Sequence, residues 1–214
     1  MKDIITIDGP VGAGKSTVAK IISEKLGYTY LDTGSMYRAL TLKILRRGIP
    51  SDNIQEIINI TYNTIIEFKE NKVILDGEDV SNLIRTKDIE KLVSIISSIP
   101  EVRKYIVSLQ RKISAKGKVI MDGRDCGTVI APDAKYKFYL DASIEERAKR
   151  RLVDKKYSNQ SASLEEIIKM IEERDRIDKT REDSPLTIPE GAIIINTDGL
   201  SIDQVVEKIL SYIK

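Results

Sequence analysis

Residues 7–17 are IDGPVGAGKST, and this stretch decides the fold. Gly9 to Ser16 fit the pattern G-x-x-x-x-G-K-[ST], in which glycines let the backbone turn so that successive N–H groups point at phosphate oxygens. The helix predicted to follow presents its positive N-terminus to the same anion. Lys15 is expected to bridge the outer phosphates, and Ser16 to bind Mg²⁺ through its hydroxyl. The stretch therefore predicts a site for a nucleoside triphosphate.

The residues on both sides of this motif supply the strand and the helix that it requires. DIITI at 3–7 is a short β-branched run, and a helical pattern of apolar residues extends from Val18 to Leu26. YTYLD at 28–32 is typical of a second strand and SMYRALTLKILRRG at 35–48 of a second helix. This alternation favours a parallel sheet with helices packed on its faces.

The alternation changes between about residues 51 and 98, where we predict an insertion of mixed α/β structure. TIIEFKE and KVILDGEDV flank Asn71 as an antiparallel hairpin, and a helix over 87–97 returns the chain to the sheet. The insertion lies within a larger region over 34–100.

Three later segments continue the sheet. They are KVIMD at 118–122, KYKFYLD at 135–141 and AIIINTD at 192–198. The polar segment 154–163 joins two charged helices without apolar periodicity, so we expect a mobile loop there, within a lid over 148–163. The sequence thus predicts a single three-layer α/β P-loop domain over 1–214 with a central parallel sheet.

The composition excludes several functions. The 35 basic and 33 acidic residues give a net charge of +2, so the chain lacks the field of a protein that binds nucleic acid or membranes. The absence of histidine removes the usual general base of serine and cysteine hydrolases. No apolar run approaches a membrane span, and the N-terminus lacks the layout of a signal peptide. With one cysteine, Cys126, we expect a cytoplasmic protein, and we expect a monomer.

A second group of charges follows the strand KVIMD, in DGRD at 122–125. In a doubly wound sheet the ligand cleft lies beyond the carboxyl ends of the strands, so this turn, the phosphate loop and the turn before Arg38 should face one cleft. A second, smaller anion would then bind between Arg38 and Arg124, in line with the outer phosphate. GTPases read guanine with an N-K-x-D segment, which this sequence lacks.

Five blocks in order make the chain resemble the nucleoside monophosphate kinases, and among them the cytidylate kinase family. They are IDGPVGAGKST at 7–17, LDTGSMYRAL at 31–40, LDGEDVSNLIRT at 75–86, DGRDCGTVIAPDA at 122–134 and ERDRIDKTREDSPL at 173–186. Adenylate kinases carry Asp-Gly-Phe-Pro-Arg where this chain has DGRDC. The resemblance covers essentially the whole chain and implies transfer of the γ-phosphoryl group of ATP to CMP or dCMP, with Mg²⁺.

The resemblance also implies that the region over 34–100 binds the nucleoside monophosphate, and it implies roles for single residues at this acceptor end. Arg38, Arg124 and Arg181 would clamp the acceptor phosphate, a task that suits the rigid fork of a guanidinium. Together with Lys15 they would be the catalytic residues, because stabilising the transferring phosphoryl group needs positive charge and no strong general base. The other substrate-binding residues would be Thr33 in the turn after the second strand, Ser94, Arg103 and Asp125 at the edge of cytosine, and Arg174 and Asp178 at the sugar hydroxyls.

At the donor end, the resemblance implies that the phosphate loop binds ATP throughout. Arg147, Arg150 and Arg151 resemble the arginines of a lid that closes over the triphosphate, and we expect Arg147 and Arg151 to contact ATP. The loop residues expected to bind ATP are Gly9, Pro10, Val11, Gly12, Ala13, Gly14, Lys15, Ser16 and Thr17.

Three alternatives stay open at this point. The acceptor could be broader, as in a UMP/CMP kinase or another small-molecule kinase, and a non-catalytic nucleotide-binding switch is the rival from another class. Asp122 either acts with Ser16 on Mg²⁺ from the end of its strand or is a turn residue that bonds backbone amides. The remaining arginines considered, Arg46, Arg47, Arg85 and Arg111, are expected to be solvated surface residues.

Overall fold

The computed structural model describes residues 2–69, 71–153 and 163–213. In chain order the helices and strands are β1 (Lys2–Asp8), α1 (Lys15–Leu26), β2 (Thr29–Asp32), α2 (Thr33–Arg46), α3 (Ile54–Tyr62), β3 (Ile66–Lys69), β4 (Lys72–Leu75), β5 (Glu78–Asp79), α4 (Lys87–Ser98), α5 (Pro100–Ser114), β6 (Val119–Gly123), β7 (Ala134–Asp141), α6 (Ile144–Val153), α7 (Leu164–Thr180), β8 (Ile193–Asn196) and α8 (Ile202–Leu210).

A sheet of five strands in the order β2-β6-β1-β7-β8 lies at the centre of the fold. All of its pairings are parallel; β1 is in the middle, with Ile5 beside Ile120 of β6 and Ile7 beside Phe138 of β7. The carboxyl ends of all five strands therefore point to the same edge of the sheet, where a ligand cleft is expected. The predicted central parallel sheet is confirmed.

Helices cover both faces of this sheet. Alternate residues of β6 point to opposite faces: Val119 and Met121 belong to the apolar cluster that includes α2 and α5, and Ile120 to the cluster that includes α1 and α8. Each face thus has a continuous buried core, and the three-layer architecture is confirmed.

The predicted insertion contains α3, a three-stranded antiparallel sheet in the order β3-β4-β5, and α4. The hairpin around Asn71 is confirmed, but KVILDGEDV is not a single strand. The chain reverses again at Asp76-Gly77, where both residues have positive φ values of 49° and 89°. Asp-Gly is a favoured pair for such a two-residue turn, and the sequence prediction overlooked this signal.

Helix α2 begins earlier than the pattern over 35–48 indicates. The side chain of Asp32 accepts a hydrogen bond from the backbone N–H of Ser35 at 3.0 Å and caps the helix, so Thr33 and Gly34 form its first turn. Residues 154–162 of the predicted lid lie outside the described residues. Within the described part of the chain, no helix combines the length and the apolar character needed to cross a membrane.

Candidate active site

One cleft of about 450 Å³ lies at the carboxyl edge of the parallel sheet. The turns after β1, β2 and β6 all contribute to it, as the topology requires. The predicted site residues that line it are Val11, Gly12, Ala13, Gly14, Lys15, Ser16, Thr17, Thr33, Arg38, Arg103, Asp122, Arg124, Asp125, Arg151, Arg174, Asp178 and Arg181.

The phosphate loop between β1 and α1 is shaped by its glycines. Gly9 has a φ of 146°, and a Cβ atom there would collide with the backbone oxygen of Leu140, so only glycine fits. Gly14, with a φ of 85°, immediately precedes α1. No side chain caps this helix and its first turn carries no acid, which leaves its N-terminal amides available to an anion.

Lys15 is buried at the base of the loop, where its Nζ donates a hydrogen bond to the backbone oxygen of Pro10 at 2.6 Å. Burial, and then the positive charge of Arg124, lower the pKa of Lys15 to about 7. Both cations line the same cleft. An anionic ligand between them would favour the charged form of the lysine.

Ser16 and Asp122 lie together in the cleft and offer hard oxygen atoms that fit a metal ion. The Ser16 hydroxyl donates to Asp122 Oδ2 at 2.7 Å, and the Tyr30 hydroxyl donates to Oδ1 at 2.8 Å. Burial, and then the neighbouring charge of Asp32, raise the pKa of Asp122. A cation bound beside Asp122 would therefore stabilise its ionised carboxylate. No group of three or more metal-ligating side chains exists in the described residues, so a bound Mg²⁺ would also need phosphate oxygens.

Asp32 holds two arginines at the acceptor end. Arg38 and Arg85 each donate an Nη2 hydrogen bond to its Oδ2 at 2.7 Å. Burial alone would raise the pKa of Asp32, but the two guanidiniums outweigh burial and hold it below its ordinary value. Arg85 therefore lies in the cleft, and the expectation that it is a surface residue is wrong. An isolated arginine after a hairpin gives no sequence signal of the long-range pair that draws it inward.

Asp178 of α7 lies between the other two arginines of the predicted clamp. Arg124 Nε donates to Asp178 Oδ2 at 2.8 Å, and Arg181 Nη1 donates to Oδ1 at 3.3 Å. Burial opposes the charge of Asp178, yet Arg124 and its neighbours hold the pKa of this carboxyl below its ordinary value. The clamp is thus aligned by a carboxylate before any phosphate arrives.

Arg103 and Asp125 form a buried ion pair at the predicted base-reading end. Arg103 also donates to the backbone oxygen of Ser97 at 3.1 Å, and its guanidinium lies 5.3 Å from the centre of the Tyr37 ring. Ser94 is buried but is not among the residues that line the cleft, whereas Ser97, one helical turn later on α4, is. The predicted contact of Ser94 with the base therefore stays a prediction.

Glu90 is a residue of the cleft that the sequence did not single out. It lies on α4 with its side chain 6% exposed, and it accepts hydrogen bonds from Arg174 at 2.9 Å and from Arg151 at 3.3 Å. It thereby joins the insertion to α6 and α7. Arg150 also lines the cleft and donates to the hydroxyl and backbone oxygens of Thr197 at 2.9 and 2.6 Å.

Arg147 does not line the cleft but lies behind the phosphate loop. Its side chain donates to the backbone oxygens of Ala142 and Val11, each at 3.0 Å, and to Asp175 Oδ2 at 2.6 Å. The predicted contact of Arg147 with ATP has no support in this geometry, because the guanidinium is buried against protein. Gly9 and Pro10 likewise lie outside the lining of the cleft.

Comparisons with known proteins show which families and folds this chain is similar to. A family model described as "Cytidylate kinase" matches residues 5–214. A cytidylate kinase of Caldanaerobacter subterraneus subsp. tengcongensis is 50% identical over 210 residues, which cover 98% of this chain and 94% of the relative. One from Clostridioides difficile is 47% identical over 210 residues, 98% of this chain and 97% of the relative. A solved shikimate kinase of Bacteroides thetaiotaomicron, 13% identical, aligns over 99% of this chain and 98% of its own with a TM-score of 0.55, which shows the shared fold.

Proposed function

The chain belongs to the cytidylate kinase family, and on this premise we propose how its cleft transfers the γ-phosphoryl group of ATP to CMP or dCMP. The enzyme is a nucleoside monophosphate kinase, a phosphotransferase. One observation carries the proposed assignment of residues: Lys15 of the phosphate loop and Arg124 of the turn after β6 line the same cleft. The cation of the donor loop and a cation of the acceptor clamp thus face one cavity, in which a phosphoryl group would pass between the two nucleotides.

At the donor end, the amides of residues 12–17 and the N-terminus of α1 bind the phosphates of ATP. Lys15 bridges the outer phosphates, and Arg150 and Arg151 line the wall of the cleft nearby. Mg²⁺, held by Ser16 and Asp122 with phosphate oxygens, would neutralise the phosphates' mutual repulsion. The two residues offer hard oxygen ligands at hydrogen-bond distance from one another, which supports this role.

At the acceptor end, Arg38, Arg124 and Arg181 bind the phosphate of CMP by exchanging part of their contacts with Asp32 and Asp178. This exchange is possible because each guanidinium has several donors. Arg174 and Asp178 reach the sugar hydroxyls, and Thr33 lines the cleft below them.

The base is read by the buried pair of Arg103 and Asp125. Asp125 has a second carboxylate oxygen, which can accept from the exocyclic amine of cytosine, an amine that uracil lacks. Arg103 can donate to the ring carbonyl. Because both groups are already buried and paired, a base that cannot complete the set of hydrogen bonds leaves charge unsatisfied, which is the strongest kind of discrimination.

Catalysis then rests on position and charge. Several cations surround the transferring phosphoryl group, and a chain without histidine loses nothing by this mechanism.

The single buried cysteine and the absence of any nearby disulfide partner support the cytoplasmic location that we also propose. We further propose that the enzyme acts as a monomer, since residues of a single chain supply both the donor loop and the acceptor clamp.

The assignment is tested by initial rates with ATP and, in turn, CMP, dCMP, UMP and AMP. We expect kcat/KM for CMP to exceed that for UMP at least about tenfold. Comparable rates with UMP would instead favour a broader UMP/CMP kinase. Nucleotide binding without turnover of any acceptor would favour the non-catalytic switch and contradict the proposal.

A further inference from the structure

Two charged side chains hold the phosphate loop at Val11, on the side away from the cleft. The backbone N–H of Val11 donates to Asp175 Oδ1 at 3.2 Å, and its backbone oxygen accepts from Arg147 Nη1 at 3.0 Å. The same Arg147 Nη1 donates to Asp175 Oδ2 at 2.6 Å. The two side chains therefore form a closed ring with the backbone of Val11, and both of its peptide groups are fixed in direction.

This ring is buried and tightly packed. The side chains of Arg147 and Asp175 are 8% and 9% exposed, and Val11 packs in one apolar cluster with Ala148 of α6 and Ile167 of α7. A Cβ atom on Gly12 would lie only 3.0 Å from Arg147 Cβ, so the loop sits directly on α6 at the next residue as well. Neither charge is available to a ligand in the cleft, so the pair must act through the loop.

The helix that supplies Asp175 also supplies the acceptor end. Arg174 and Asp178 line the cleft from α7, and Arg181 directly follows the helix. Asp175 and Asp178 are one turn apart, about 4.5 Å along the axis of a helix. One rigid element therefore touches the donor loop on one side and the acceptor clamp on the other.

We infer that the Arg147–Asp175 pair is a positioning device for phosphoryl transfer: it fastens the phosphate loop to α7 and so sets the alignment of the donor and acceptor phosphates. This inference rests on the proposed function of the cleft and adds residues that touch neither nucleotide. By turning the Val11 N–H away from the cleft, the pair aims the following amides, from Gly12 to Ser16, at the donor phosphates.

The test removes both charges at once, with the double variant Arg147→Met and Asp175→Leu. Loss of one partner alone would leave a buried charge uncompensated, whereas replacing both members of a buried pair with apolar residues is often neutral for stability. We expect this variant to fold, to bind ADP about tenfold more weakly by titration calorimetry, and to lose about ten- to hundredfold in kcat, because a misplacement of about 1 Å has effects of this size. KM for CMP should stay within about twofold, since the acceptor clamp is untouched.

The control is the exposed pair on the same helix, altered as Glu173→Gln with Arg176→Met. These side chains are paired with one another at 2.7 Å and more than half exposed, so affinity for ADP and kcat should match those of the unaltered enzyme. If the buried double variant is folded and has unchanged ADP affinity and kcat, the pair is purely structural and the inference falls. Should it fail to fold, Asp175→Asn takes its place, and unchanged kinetics of that variant would overturn the inference equally.

The two proposals fail in different ways. If the unaltered enzyme does not phosphorylate CMP, the proposed function is wrong, while the ADP titrations still report on the loop. If it phosphorylates CMP and the double variant matches it in every constant, only the positioning role of Arg147 and Asp175 is lost.

Discussion

The donor and acceptor ends of the cleft are built in opposite ways. The donor end comes from one continuous stretch, residues 9–17, and presents backbone amides to its ligand. The acceptor end is assembled from side chains of α2, α5, α7 and the turn after β6, which are distant in sequence. A site made of backbone is encoded by local turn chemistry, whereas a site made of side chains depends on the whole topology.

The two ends also differ in their state before ligands bind. Lys15 at the donor end contacts a neutral carbonyl oxygen, and burial disfavours its charge. The clamp arginines at the acceptor end are paired with the carboxylates of Asp32 and Asp178. The donor phosphates thus bind to a lysine that has no carboxylate partner among its hydrogen bonds. The acceptor phosphate must instead replace carboxylates as the partner of the arginines. Such exchange lowers the net gain in affinity and increases selectivity.

The largest effects should come from removing one cation at each end. Lys15→Met should lower kcat about 10³-fold and weaken ADP binding while leaving CMP binding nearly intact. Arg124→Met should lower kcat about 10²-fold or more with every acceptor and weaken CMP binding, with ADP binding nearly intact. Titration calorimetry of each nucleotide, together with kcat, measures both halves of this contrast.

Lys25→Met, on the exposed end of α1, is the control for both variants. The comparison between the two ends would break down if Lys15→Met and Arg124→Met weakened both nucleotides alike. In that case the cleft would be one undivided anion site.

A smaller effect is expected on selectivity. Asp125→Asn keeps one acceptor oxygen but adds an amide donor, which suits the carbonyl of uracil, so the ratio of kcat/KM for CMP over UMP should fall about tenfold to hundredfold. The neutral side chain of this variant would also leave the buried Arg103 without its counter-charge, which should lower the free energy of unfolding by up to about 3 kcal/mol. The exposed substitution Asp52→Asn is the control, and an unchanged ratio would remove Asp125 from base reading.

The features of the molecule that depend on local sequence patterns were predictable. The glycine motif predicted the donor loop, and the alternation of strands and helices predicted the parallel sheet and the edge at which the cleft lies. The sequence prediction overlooked Asp76-Gly77 as a second turn because an apolar run seemed continuous across it. The predicted start of α2, at residue 35, was too late. Asp32 caps the helix, but the periodic pattern of apolar residues does not show this role.

The acceptor end was predictable only through the resemblance to a family. No periodicity indicates that Arg85 pairs with Asp32, or that Glu90 joins Arg151 and Arg174. Arg147 shows the same limit, because Arg147, Arg150 and Arg151 fall within about 100° of one another around α6, so their spacing does not separate their roles. Which of them faces the cleft and which one supports the loop is decided by tertiary contacts.

The smallest effect should appear in the pH dependence of donor binding. The pKa of Lys15 is about 7, lowered by burial and next by Arg124 from its ordinary value of 10.5. Between these two values the unfolded chain binds one more proton than the folded, ligand-free protein, so the lysine's contribution to folding stability rises with pH in this window. ADP binding favours the charged lysine and should weaken up to about tenfold per pH unit above pH 7.

Titration of ADP between pH 7 and pH 8, in buffers of different ionisation enthalpy, measures this proton uptake. Lys15→Arg carries a charge that does not titrate in this range, so its ADP affinity should be nearly independent of pH. A flat profile for the unaltered enzyme would show that Lys15 is already charged without ligand, and that the two ends of the cleft do not differ in this respect.

The division of the cleft is tested most directly by a crystal structure with ADP and CMP bound together. We expect the phosphates of ADP to lie on the amides of residues 12–17 and on Lys15, and the phosphate of CMP to lie within hydrogen-bond distance of Arg38, Arg124 and Arg181. Asp125 should then accept a hydrogen bond from the exocyclic amine of cytosine. CMP bound with its phosphate away from these arginines, or with its base away from Asp125, would contradict the account.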